Sequence, residues 1–122
     1  AAQNTSNIFY PGYVTDGQNK ALMQNCKGFL HPAVFEGFGI PPLEALSLGA
    51  PIALARASCL PELYGDTARY FDPYDYDVDL DALFAKPVAP PDKVLAKYSW
   101  EKTARFWLDE IKKCAEAKNR ST

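Results

Sequence analysis

The chain has 122 residues, of which 48% are hydrophobic, and a formal charge of −2 at neutral pH. That length fits one domain able to bury a core without a disulfide or metal staple. No apolar run approaches the roughly 18 residues of a membrane span, Ala1 to Asn7 is too polar for a secretory signal, and the near-neutral charge gives no case for nucleic-acid binding.

Taken in chain order, Ile8-Phe9-Tyr10 is a strand candidate stopped by Pro11-Gly12. After Tyr13-Val14, Thr15 or Asp16 caps a helix that carries Ala21, Leu22 and Met23 and fades near Asn25. Gly28 to His31 is a brief buried strand ending at Pro32, followed by a loop from Ala33 to Pro41. Pro42 suits the first position of a helix that runs from Leu43 to Leu48 and is closed by Gly49. Pro51 to Ala55 is a short apolar run without alternation, the pattern of a strand buried on both faces.

Leu60 to Tyr64 makes one helical turn before Gly65, Ala68 to Phe71 a fourth strand, and Val78 to Phe84 a short helix. Three prolines between Lys86 and Pro91 mark a connector. The longest helix follows, with Ser99 as N-cap and Glu101 in its first turn. Trp100, Ala104, Trp107, Leu108 and Ile111 fall on one face of it. Short strands alternating with helices predict an α/β fold, a Rossmann-like parallel sheet with flanking helices. Residues 1–98 are expected to form this partial domain, and residues 99–122 a terminal helix and tail. A doubly wound domain normally opens with a strand and helix that are missing here, so the chain is expected to be a fragment.

Charge is uneven. Seven acids lie between Leu60 and Asp81 against Arg69 alone, whereas nine bases face five acids from Ala82 onward. The pattern predicts a solvated acidic rim and a basic-faced terminal helix, with peripheral membrane contact as the alternative use of that helix. Cys26, Cys59 and Cys114 lack metal spacing, and His31 is the lone histidine, so no metal site is expected. Cys26 and Cys114 sit in helical patterns, where a thiol is commonly a small buried hydrophobe. A reduced, cytoplasmic setting is the economical expectation.

Sheets of this kind bind ligands beyond the carboxyl ends of their strands, which directs attention to Glu36-Gly37-Phe38-Gly39-Ile40-Pro41-Pro42-Leu43-Glu44. Glu36 leaves a strand on a loop, two glycines let backbone approach a ligand, and the first amides of the following helix are placed to meet an anion. Two acceptor-only carboxylates flanking a phosphate-friendly helix start suit a ligand with hydroxyls at both ends and phosphate between. Each feature has a plainer reading: Glu44 as a dipole partner worth about 0.3–1 kcal/mol, Glu36 as a loop surface charge. Residue chemistry alone reaches an anion or polyol site.

The stretch resembles the Glu-x7-Glu signature of the retaining family-four glycosyltransferases of GT-B architecture, with Glu36 and Glu44 as its two acids. Gly12-Tyr13-Val14, Phe29-Leu30-His31-Pro32, Leu48-Gly49-Ala50-Pro51, Leu60-Pro61-Glu62 with Gly65-Asp66, Asp72-Pro73 and Ser99-Trp100 are similar to further family motifs in the same order. The resemblance implies part of the C-terminal lobe of a GT-B fold and the donor-binding part of a hexosyltransferase. Such an enzyme moves a sugar from a nucleoside-diphosphate sugar to an acceptor hydroxyl with retention, as in polysaccharide biosynthesis. It gives Glu44 the ribose hydroxyls and Glu36 the donor sugar, where it serves catalysis. Gly37, Phe38, Gly39 and Ile40 would contact sugar and phosphate, Leu43 would lie near the diphosphate, and Gly12, Tyr13 and Val14 would border the base. Ala33 departs from the family's frequent Ser. The family's diphosphate-neutralising Arg and Lys, and its acceptor domain, fall outside this sequence.

The resemblance further implies a nucleotide-sugar donor as substrate, no separate cofactor, and a saccharide or lipid-linked acceptor held by a missing amino-terminal domain, at or near the inner face of a membrane. The isolated chain is expected to be inactive and to self-associate through an over-exposed terminal helix. Sugar-nucleotide epimerases share the architecture but lack the Glu-Gly-Phe-Gly context. A non-catalytic nucleotide-binding or protein-interaction module is the second reading.

Overall fold

The structure is a computed structural model that describes residues 7–120. Apart from Asn7, the polar amino end lies outside the described residues, as do the last two positions of the 99–122 segment. Three parallel strands, β1 (Phe29–His31), β2 (Ile52–Ala55) and β3 (Arg69–Phe71), form one sheet in the order β1-β2-β3. Phe29 pairs with Ile52 and His31 with Leu54, while Ala53 pairs with Arg69 and Ala55 with Phe71. The α/β expectation holds: helices link successive strands and flank the sheet.

β2 is the centre of the molecule. All four of its residues are buried, because it has a strand on each side and helices over its faces, which is why its sequence is apolar without alternation. Ala45 and Leu46 from α2 (Ile40–Ser47), Leu60 and Tyr64 from α3 (Leu60–Tyr64) and Met23 from α1 (Asp16–Asn25) complete the core around it. Leu83 is the buried residue of α4 (Leu80–Ala85).

Local chemistry sets the helix ends. Thr15 caps α1 in a reciprocal box with Gln18. At the end of α2, Gly49 adopts φ +84°, and the amides of Gly49 and Ala50 return to the carbonyls of Leu46 and Ala45 at 3.1 and 3.0 Å. That is the Schellman arrangement, which favours glycine at this position. The aspartates of the acidic stretch are exposed, and three act locally: Asp72 and Asp75 accept amides two residues on, and Asp79 caps α4.

Four expectations need correction. Ile8-Phe9-Tyr10 is not a strand of the sheet: only Ile8 makes a single bridge, and the three side chains are 58%, 79% and 64% exposed, so no burial supports a longer pairing. The second helix starts at Ile40 rather than at Pro42, since Gly39 supplies the turn that begins it. A short helix, α5 (Asp92–Lys97), follows directly on the last proline of the connector and packs against α2. Cys114 is exposed instead of buried, because the helix around it is exposed on all sides.

That helix, α6 (Trp100–Arg120), begins as expected, with the Ser99 hydroxyl accepting the Lys102 amide at 3.1 Å. Its apolar stripe lies open to solvent, in line with the over-exposed terminal helix that the family resemblance implied: Trp100 is 81% exposed, Trp107 60% and Ile111 61%. No helix of the described residues is long and apolar enough to cross a membrane.

Gly28, just before β1, carries the ring of Phe84 against its α-carbon. A β-carbon there would stand 2.4 Å from that ring. Gly28→Ala is therefore expected to destabilise the chain by about 1–3 kcal/mol through overpacking, with partial recovery when Phe84→Leu is added. Urea denaturation of the single and double variants measures both.

Candidate functional site

Because the strands run parallel, the segments leaving β1 and β2 emerge at the same sheet end, where residues 32–39 and 56–59 meet. Glu36 stands at the junction. His31, the last residue of β1, places Nε2 2.9 Å from Glu36 Oε1. A carboxylate only accepts, so Nε2 carries the proton. The Ser58 hydroxyl donates to the Glu36 carbonyl at 2.9 Å and accepts from the Glu36 amide at 3.3 Å, and the Cys59 thiol donates to the same carbonyl at 3.3 Å. The side chains of His31 and Glu36 are 15% and 27% exposed, sheltered yet open to a ligand.

The loop then turns into α2. Gly39 adopts φ +79° as N-cap, and a β-carbon there would stand 2.9 Å from the Leu60 side chain, so both backbone angle and space favour glycine. The Tyr64 hydroxyl, rooted in the core, donates to the Gly39 carbonyl at 2.6 Å. Burial pushes the Tyr64 phenol well above its ordinary range, which keeps it a donor.

Pro41 and Pro42 are the second and third residues of α2 and have no N–H to offer. The helix start therefore presents fewer donors than its position promises. Compensation comes from the loop and the first helical residue: among the described residues the amides of Gly37, Phe38, Gly39 and Ile40 have no hydrogen-bond acceptor. Four successive donors without an acceptor thus stand between two glutamates, a composition suited to an anion.

Glu44 lies one turn further along α2, exposed, on the wall of a cavity of about 520 Å³. Phe38, Ile40 and Leu43 share that wall, and Tyr98 and Trp100, from the junction of α5 and α6, line the other. Tyr98 packs edge-on against Phe38 at 4.9 Å, and its hydroxyl oxygen is buried without a partner among the described residues. Sequence reading did not single out Tyr98 or Ser58. The site residues thus form two groups: Phe38, Ile40, Leu43 and Glu44 line the cavity, whereas Glu36, Gly37 and Gly39 do not, and Glu36 is bonded instead to His31 and Ser58. Gly12, Tyr13 and Val14 precede α1 and do not line the cavity; Gly12 adopts φ +73° and Tyr13 is 92% exposed.

Residues 1–82 match the family of glycosyl transferases group 1. The chain is 33% identical over 113 residues, 85% of its length, to the serotype-specific mannosyltransferase WbdA of Escherichia coli. It is 41% identical over 70 residues, 57% of its length, to the O-antigen chain mannosyltransferase B of the same organism. An MMP alpha-(1->4)-mannosyltransferase of Mycolicibacterium hassiacum is 33% identical over 64% of the chain. The chain spans only 14%, 18% and 20% of the length of these relatives, respectively. No solved structure matches it.

The Tyr64 bond to Gly39 yields a test of how the loop is held. Tyr64→Phe is expected to cost about 0.5–1.5 kcal/mol, the net worth of one hydrogen bond. The folded chain holds the Tyr64 proton more tightly than an unfolded phenol with its value of 10.0. The corresponding stability is therefore complete below pH 10 and lost as pH rises beyond it toward the folded value. Denaturation between pH 8 and 12 should show a shallower alkaline fall for Tyr64→Phe than for the wild type. The remaining fall includes Tyr70, whose phenol burial pushes up to about 12.

Proposed function

This chain belongs to the glycosyl transferases group 1 family, and from that premise we propose that it is the donor-binding part of a retaining hexosyltransferase. The observation that carries the reading is the run of four unsatisfied amides, Gly37 to Ile40, set between Glu36 and Glu44. A nucleoside-diphosphate hexose has its diphosphate between two hydroxyl-rich ends, in the order this segment would receive them. The amides of Gly37, Phe38, Gly39 and Ile40 accommodate diphosphate and sugar, with Leu43 against the diphosphate. Glu44, beside the cavity, takes the ribose hydroxyls, and Gly12, Tyr13 and Val14 border the base.

Glu36 binds hydroxyls of the donor sugar. Its carboxylate also favours the positive charge that grows at the anomeric carbon as the bond to phosphate breaks. The sugar passes to an acceptor hydroxyl on the face the diphosphate leaves, so configuration is retained and no protein nucleophile is required. Relatives named mannosyltransferases, two of them by O-antigen chain or serotype, favour a mannosyl donor and a saccharide acceptor for this chain as well.

Two substitutions separate the roles. Glu44→Ala is expected to weaken binding of a free nucleoside diphosphate by about 10- to 100-fold, equivalent to the roughly 1.5–3 kcal/mol of charge-assisted hydrogen bonds. Glu36→Gln should leave that affinity within about twofold and weaken the complete nucleoside-diphosphate hexose. Calorimetric or NMR titrations with guanosine and uridine diphosphates, bare and carrying hexoses, provide the readout. Equal loss in both variants for both ligands contradicts the assignment.

A further inference from the structure

Glu36 is held from two directions by residues that the donor-binding reading leaves without a task. Its side chain meets His31 at 2.9 Å, five residues back on the end of β1. Its backbone is gripped by Ser58, 22 residues on in the segment after β2, whose hydroxyl contacts both amide and carbonyl of Glu36. Ser58 has φ +53°, the only non-glycine among the described residues with positive φ. An L-residue keeps that strained conformation only when its surroundings hold it, and here the hydroxyl's two bonds run to a single residue. The contact joins the ends of two adjacent strands across the sheet edge where ligands are received.

We propose that His31 and Ser58 are positioning residues that fix Glu36 for the donor sugar, an inference that rests on the sugar-binding reading of Glu36. His31 occupies Oε1 and stops the carboxylate from rotating, leaving Oε2 as the oxygen turned to a sugar hydroxyl. The imidazole stacks on Phe29, ring centroids 6.2 Å apart and planes within 14°, so it is itself anchored to the sheet. Ser58 sets the backbone from which that carboxylate projects. Neither touches the sugar in this scheme; both act through Glu36.

The distinction is tested by comparing two ligands on each variant. His31→Leu should weaken a nucleoside-diphosphate hexose by about 3- to 10-fold, the worth of one hydrogen bond, and leave the bare nucleoside diphosphate unchanged. His31→Gln, which returns an N–H donor near the place of Nε2, should recover most of the loss. Ser58→Gly keeps the left-handed backbone accessible while deleting the hydroxyl, and should show the same hexose-selective weakening. If His31→Leu and Ser58→Gly lose affinity for both ligands alike, or change neither, the positioning role is overturned.

Failure of a wild-type chain to bind any nucleoside-diphosphate hexose would instead contradict the donor-binding reading. The pair itself is then judged by proton NMR: the His31 Nε2–H should be downfield and protected from exchange, and that signature should vanish in Glu36→Leu. A ring proton indifferent to Glu36→Leu overturns the proposal irrespective of any ligand.

Discussion

The complete burial of β2 is the constraint on which the rest of this structure depends. Ile52 to Ala55 has a parallel strand on each side and side chains from α1, α2 and α3 around it, with no residue of the strand open to water. Its flanks fix the register: a slip one way would bury Arg56, and a slip the other way would put Pro51, which has no N–H, into the ladder. A fixed register of parallel strands brings the segments after β1 and β2 to one end. Only there can Ser58 meet Glu36 across 22 residues of chain. The packing energy is thus spent in the centre, and its geometric result is delivered at the edge.

At that edge the site is defined more by what is left unsatisfied than by what is bonded. Buried polar groups generally find partners, yet the Tyr98 hydroxyl has none among the described residues, and four successive loop amides beside it have no protein acceptor either. Two prolines leave Ile40 as the only amide donor among the first three residues of α2, so most of the anion-binding potential resides in the loop before the helix. Tyr64, anchored in the core, ties the end of that loop to the packed interior.

Much of the fold was legible in the sequence because short-range chemistry dictates it. Thr15 or Asp16 marked one helix start, Gly49 a helix end, and the unbroken run at Pro51 to Ala55 a buried strand. The glutamates and glycines of the site stood in one nine-residue segment, and the family resemblance gave them roles. What escaped were features without a local signature. α5 is six residues long and begins against a proline, too short for any period to show. Ile8 to Tyr10 had the composition of a strand, yet composition cannot say whether a neighbour exists to pair with it. The early start of α2 came from a left-handed Gly39 backbone rather than from proline preference. His31 was seen as a strand end, which it is, but its bond to Glu36 depends on how Pro32 to Phe35 return the chain. Ser58 carried no sequence signal at all, since its partner lies in another loop.

The central claim is that the segment from Glu36 to Glu44 receives the diphosphate of a sugar nucleotide through its free amides. The most direct measurement is an amide NMR titration of the chain with a nucleoside-diphosphate hexose, followed residue by residue. The account predicts that the largest saturable shifts fall on the amides of Gly37, Phe38, Gly39 and Ile40, and that they are reproduced by the nucleoside diphosphate and absent with the free hexose. Saturable shifts confined to α6, or to any surface that excludes these four amides, would contradict it.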